Sequence, residues 1–557
     1  MTTALLSSPV LAQEAARETT AFTLSSGTPR TAEQLALRFD RADLSFRLLP
    51  DTQSIEGVAV LDFTAAAPSS AVVVELDTVF AIAAVTVDDQ AVADWSNPEG
   101  RLTVPLPRPL TAGESVSVRI AYAGRPHQAR RAPWDGGFVW TTTPDGQPWI
   151  ASAVQGEGCD LFWPCIDHPQ GEPEQVDLHI TVPSSLSAPA NGRFLGKSDN
   201  GDGTTTWNWT ARRPDTYAVS LNVGPYVEMA ADYQSRFGNV IPLRFWRLAS
   251  ADPAKAQAQA LFEEFPQMLD FFEATVGPFP FGDEKMGVVE TPHLGMEHQT
   301  INAYGNGYKL DGKGYDWLLQ HELAHEWFGN QLTNADWDDM WLHEGFGTYM
   351  QPLYARWLNG ERAMQAELQT MRLTLANRFP VVSGRPQDAG AVYDAQTGPA
   401  LDLYYKGALI AHTLRLHIGD AAFYESLRRL VYGRPDPKPG NFRPRYATTP
   451  EYVAIVNAVT GRDLGWFFDA YLYQAALPDL VMTRQGRRVT LEWKTGNGRP
   501  FPLPVEVEVD GALRTLPMTE GRATFDAPEG AHILLDPGSR TLRRLEHLER
   551  WKASTAG

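Results

Sequence analysis

The stretch His321-Glu322-Leu323-Ala324-His325, joined after eighteen residues by Glu344, decides how the rest of this chain is read. On a helix, residues four apart are separated by about 400°, so the two histidines project from one face within about 40° of each other. That spacing lets two imidazoles hold one Zn²⁺, and the glutamate between them stands where it can activate a water. Closed structural zinc sites take four protein ligands, commonly cysteines and histidines. Two histidines and one carboxylate leave a position open, which predicts a zinc hydrolase acting on peptide bonds, with one Zn²⁺ per chain. His321, His325 and Glu344 are the expected ligands. Glu322 is the expected general base, taking a proton from the attacking water and passing it to the leaving amine.

At 557 residues the chain is too long for one core, so several domains are expected. Its formal net charge of −19 argues against nucleic acid as a partner, because phosphate binding needs a basic surface. The same charge is compatible with cationic partners such as peptide N-termini. No apolar run is long enough to predict a membrane-spanning helix. Cys159 and Cys165 are the only cysteines, which excludes a disulfide framework and a thiolate zinc site. They read as two free or once-paired packing thiols. Ala4-Leu5-Leu6 through Val10-Leu11-Ala12 resembles the end of a secretory signal without its basic leading region. It predicts a periplasmic or secreted protein; the alternative is a cytoplasmic one with a disordered tail.

From Leu37 to about Gly224 the pattern is that of strands. Leu44, Phe46 and Leu48 alternate with polar residues, and β-branched runs such as Val72-Val73-Val74 are separated by turn signals such as Asp88-Asp89 and Asn97-Pro98. From Ala254 to Val276 the spacing of Leu261, Phe265, Met268, Leu269 and Phe272 is helical. The metal helix is predicted from an Asp316 cap to Gly329-Asn330, and a second helix from Asp338-Asp339 carries Glu344. Further helical segments run to Tyr473. After Pro478 the alternation of two returns, as in Val505, Val507 and Val509. The expected fold is multidomain α+β. A tail (1–20) precedes an N-terminal antiparallel β domain (21–225), an α-rich catalytic domain (226–476) and a small C-terminal β-sandwich (477–557).

Two longer blocks, His321 to Asn330 and Trp341-Leu342-His343-Glu344-Gly345-Phe346, resemble the central blocks of the gluzincin zinc aminopeptidases, the family of aminopeptidase N and the leukotriene epoxide hydrolase. The resemblance covers roughly residues 40 to 540 and does not include that family's large C-terminal helical domain. It implies a thermolysin-like catalytic domain and removal of N-terminal residues from peptides with a free N-terminus. Leu294-Gly295-Met296-Glu297-His298 stands where the family has Gly-x-Met-Glu-Asn. The resemblance therefore implies Gly295, Met296 and Glu297 as substrate-binding residues, with Glu297 holding the α-ammonium. Gln155-Gly156-Glu157 resembles the family's Gln-x-Glu element, which implies Gln155 and Glu157 at the same amine, Glu157 as a second anchor. Tyr404-Tyr405-Lys406-Gly407 matches the family's catalytic tyrosine followed, one residue on, by Lys-Gly, which implies that Tyr404 stabilises the oxyanion. An endopeptidase, an epoxide hydrolase and a non-catalytic scaffold of the same fold are the alternatives.

Overall fold

Leu44, Phe46 and Leu48 turn one face of the strand Leu37–Leu49 inward, and all three are essentially inaccessible to solvent. In the computed structural model, residues 18–249, 254–309, 312–440 and 442–555 are described; the signal-like segment at 4–14 lies outside them. Strand Leu37–Leu49 is central in an eight-stranded sheet. It runs antiparallel to Ser54–Ala65, pairing Leu44 with Ala59. Its other neighbour, Gln175–Pro183, runs parallel, with Ala42 opposite Val176. This pair departs from the antiparallel pattern because about 125 residues, including other strands of the same sheet and the hairpin Gly137–Thr142/Pro148–Ala153, separate its members, and parallel neighbours need a long connection. Within that connection Cys159 and Cys165 form a disulfide.

The second domain is built on a five-stranded sheet with the order Tyr226–Gln234, Val240–Leu248, Met286–Glu290, Asn302–Tyr304, Gly295–Met296. Alternation along these strands makes the sheet a partition between two cores. Leu243, Phe245, Met286, Val288 and Tyr304 pack into the helical core. Trp246, Val289, Met296, Ile301 and Ala303 pack into the core of the N-terminal β domain. Polar ties cross the same junction. Gly192 N donates to Thr300 Oγ1 (2.7 Å), Asn191 Nδ2 to Gln299 O (2.8 Å) and the buried Lys285 Nζ to Ala190 O (2.9 Å). Each occupies a backbone or side-chain group that burial would otherwise leave unsatisfied.

At the other end, two three-stranded sheets form the C-terminal sandwich, and their core is continuous with that of the helices. Phe501 packs edge-on to Trp466, Tyr471 and Trp493, with ring centroids at 5.2, 5.5 and 5.3 Å. Lys406 reaches toward the same boundary from helix Asp402–Ile418 and donates to the carbonyls of Gln474 and Ala475, both at 2.9 Å.

One helix crossing sets the layout of the site. Helix Trp341–Asn359 and helix Asp402–Ile418 meet at Gly345 and Gly407. A Cβ on Gly407 would lie 2.9 Å from the Gly345 Cα, closer than a side-chain carbon can come. The two glycines thus let the backbones approach and bring Glu344 beside Tyr404, three residues from the crossing. Gly407→Val forces the helices apart. It is expected to lower unfolding stability by about 1–3 kcal/mol, as overpacking does, read as a reduced denaturant midpoint at unchanged slope. A midpoint equal to the parent's would show that the crossing has slack.

Candidate metal centre

The helix that carries the histidines is Trp317–Ala324. Asp316 caps it, Oδ1 accepting from Leu318 N and Leu319 N at 3.0 Å, while Oδ2 accepts from the Tyr304 hydroxyl at 2.6 Å and ties the helix to the sheet. The sequence expectation carried this helix on to Gly329-Asn330; regular α-helix stops at Ala324. Beyond it Asn330 N and Gln331 N bond to carbonyls five residues back, at His325 (2.8 Å) and Glu326 (3.2 Å), so the backbone winds more widely. The Phe328 carbonyl takes His325 Nδ1 as its partner at 2.8 Å. That bond fixes the tautomer and leaves His325 Nε2 with its lone pair facing the site.

Three atoms converge there. His321 Nε2 and His325 Nε2 are 3.2 Å apart, and Glu344 Oε2 lies 3.8 and 3.4 Å from them. Ligands on a tetrahedral ion with bonds of about 2.0–2.1 Å stand about 3.3–3.4 Å apart. Glu344 Oε2 is buried and makes no hydrogen bond within the described residues, and neither does His321 Nδ1. Two imidazole nitrogens and a carboxylate oxygen face one point, and a cation there satisfies all three. Gly347 makes room for this arrangement, because a Cβ there would sit 2.8 Å from Cε1 of His325.

The local charge balance agrees. Burial pushes the Glu344 carboxyl up to about 7 and holds His321 and His343 well below the usual imidazole range. Glu322 is pushed well up by burial and then by the charges of Glu297 and Glu344. Three buried carboxylates with neutral histidines are a local deficit of positive charge that a divalent ion would fill. Glu322 has no hydrogen-bond partner among the described residues, which leaves it free to accept a proton. Gly295 on the edge strand lets Glu322 lie against that strand; a side chain at Gly295 would run into its carboxylate.

Glu297 closes one end of the site, its carboxylate within 4.8 Å of those of Glu322 and of the His325 ring nitrogens. Its Oε1 accepts from the Tyr217 hydroxyl (2.7 Å) and from Gln155 Nε2, with His343 Nε2 at 3.5 Å. Met296 is buried in the β-domain core. Glu157 makes no hydrogen bond to Glu297 among the described residues. Its carboxylate takes the Gly136 amide and stands beside Asp135, and burial pushes it up to about 7. Of the two residues flanking Gly156, Gln155 is the one that hydrogen-bonds Glu297. Tyr404 stacks near His321, with ring centroids 6.4 Å apart, and burial, then the charge of Glu344, pushes its phenol well up.

Sequence reasoning missed Tyr217 and Tyr393. Tyr393, on the short helix Ala389–Tyr393, donates to Glu344 Oε1 at 3.3 Å. Neither tyrosine carries a local signal: each is one of eighteen and comes from a distant segment. Glu326 supports the site from behind rather than at the metal, accepting from Thr300 N (2.8 Å), Asn302 Nδ2 (3.3 Å) and Asn330 Nδ2 (3.2 Å).

Comparison with known proteins gives consistent results. Residues 297–471 match the peptidase family M1 domain. The probable aminopeptidase 2 of Sulfurisphaera tokodaii is 21% identical over 432 residues, covering 71% of this chain and 50% of that protein. The aminopeptidase N of Haemonchus contortus is 28% identical over 341 residues, covering 56% and 33%. The chain thus spans half or less of the length of these two curated relatives. A crystal structure of a mutant M1 zinc metallopeptidase from Deinococcus radiodurans, bound to a Tyr-Ser-Ala substrate, superposes with a TM-score of 0.66 at 27% identity. It covers 82% of this chain and 98% of that one.

Glu344→Ala removes one of the three converging donors. Zinc affinity is expected to fall by more than the roughly 10–100-fold that loss of an outer-shell partner costs, read by equilibrium dialysis with metal analysis. Stoichiometric zinc retained through dialysis against chelator would remove Glu344 from the ligand set.

Proposed function

We propose that this chain, whose catalytic domain belongs to peptidase family M1, is a zinc-dependent aminopeptidase that hydrolyses the N-terminal peptide bond of peptides. The observation that carries the proposal is the position of Glu297. A buried carboxylate, oriented by Tyr217 and Gln155 through one oxygen, leaves its other oxygen without a hydrogen bond among the described residues. It closes the site beside Glu322 and His325. A fixed anion there pairs with an α-ammonium and places the first peptide bond, and no other, over the reacting groups. The peptide in the Deinococcus radiodurans structure supports peptides as the substrate class.

His321, His325 and Glu344 would hold the zinc, which when bound acidifies water and polarises the scissile carbonyl. Glu322, raised by burial and by its two carboxylate neighbours, takes a proton from the attacking water and returns it to the departing amine. Tyr404 donates its hydroxyl to the oxygen on which negative charge develops. The burial of Glu322, His325 and Glu344 keeps these interactions in a low-dielectric setting, where each counts for more. An endopeptidase needs an open cleft on the amine side, and Glu297 stands in that space.

We also place the protein outside the cytoplasm. The signal-like residues 4–14 support this, and so does the Cys159–Cys165 disulfide, a bond that persists in oxidising compartments. Recovery of reduced, full-length protein from the cytoplasmic fraction would count against it.

The test uses paired substrates, one with a free α-amine and one N-acetylated, each assayed with and without chelator. Parent enzyme is expected to cleave only the free form, and only with metal. Glu322→Gln should keep zinc and lose about 10²–10⁴-fold in kcat. Glu297→Ala should raise KM chiefly for the free-amine substrate. Equal cleavage of the acetylated peptide by the parent would point to an endopeptidase.

A further inference from the structure

Tyr393 has no place in the chemistry just described, yet it touches the metal ligand set. We propose that it is a positioning residue for Glu344, holding that carboxylate so that one oxygen alone is presented to the zinc; this rests on the zinc reading above. The two oxygens of Glu344 have separate surroundings. Oε2 faces His321 and His325, and Oε1 accepts the Tyr393 hydroxyl at 3.3 Å. Tyr404 lies beside Glu344 too, but its hydroxyl is the one assigned above to the substrate oxygen. Tyr393 then remains as the standing donor, and Glu344 is neither left unsatisfied nor free to rotate.

The fold delivers Tyr393 with some care for its position. Helix Ala389–Tyr393 is only five residues long and would not be stable alone. Asp388 caps it through Ala391 N (2.8 Å), and Ala389 N donates to Ser26 O at 3.0 Å. Ser26 is itself anchored in the β domain, its amide on Gly156 O at 3.0 Å and its Oγ on Asp167 Oδ1 at 3.0 Å. The next residue, Gly27, lies so close to the Trp337 ring that no Cβ would fit. Trp337 in turn packs edge-on to Tyr393, with centroids 5.8 Å apart, in the turn that leads into the Glu344 helix. The segment around Ser26 therefore clamps three things together: the turn that bears Gln155, the tyrosine, and the start of the helix that bears the ligand.

Tyr393→Phe keeps the ring on Trp337 and deletes the hydroxyl. On protein stripped of metal, the zinc dissociation constant measured against a competing chromogenic chelator is expected to rise about 10–100-fold. At saturating zinc, KM for a free-amine substrate should be unchanged. The thermal midpoint of the metal-free variant should equal that of the metal-free parent. An unaltered zinc dissociation constant overturns the inference. So does a raised KM without a change in zinc affinity, which would put the hydroxyl on substrate. A lowered metal-free midpoint would show a merely structural role and overturn it too. A parent that takes up no zinc overturns the zinc reading itself, whereas a parent that binds zinc beside an equally tight variant overturns this inference alone.

Discussion

The convergence of His321 Nε2, His325 Nε2 and Glu344 Oε2 on one point is the constraint that the rest of the structure serves. Left to themselves these atoms have no reason to meet. Two are lone pairs, the third is a buried carboxylate oxygen, and each would gain by turning toward a donor or toward water. They are held together by what stands behind them. The Phe328 carbonyl takes the far side of His325, Asp316 caps the histidine helix and bonds Tyr304, and Glu326 binds the backbone and side chains of the sheet. Preorganisation of this kind is what allows a metal site to be formed without reorganisation when the ion arrives.

A second set of constraints comes from close approach. Glycine at 345 and 407 lets two helices meet backbone to backbone, glycine at 347 leaves room for an imidazole, and glycine at 295 lets the edge strand touch Glu322. Each position brings a functional group about one side-chain carbon nearer its partner than any other residue would permit. The partition sheet adds the third element. One face belongs to the helical core and the other to the β domain, so the edge strand that carries Met296 and leads to Glu297 belongs to both cores. The setting of Glu297 is therefore decided by the docking of two domains, with Tyr217 and Gln155 contributed from one and Glu297 from the other.

Much of this was legible beforehand. The ligand triad follows from a spacing of four on a helix and a glutamate on the next helix, both local patterns, and the alternation of apolar residues marked where strands give way to helices and return. What local pattern does not settle has one cause. The metal helix looked longer because Glu326 to Phe328 carry ordinary helical residues, and nothing local shows that the Phe328 carbonyl is needed by His325. Glu157 is expected as a second anchor only from the family resemblance, and the bond to Glu297 that the structure shows comes from Gln155. Alternation alone does not say which of two residues flanking a glycine turns toward a partner more than a hundred positions away.

The sequence by itself determined that His321, His325 and Glu344 could meet and that strands give way to helices and return, because both are written in short-range periodicity: spacing of four for the histidines, spacing of two for the strands, breaks at glycine and proline. Only the tertiary structure decided which carboxylates, phenols and amides share a site. Tyr217 and Tyr393 lie 80 and 49 residues from the glutamates that they bond, in segments whose local pattern describes nothing but a loop and a single helical turn. Their roles come from chain segments meeting at a domain junction. That meeting is set by the summed burial of two cores and leaves no local trace in the residues it brings together.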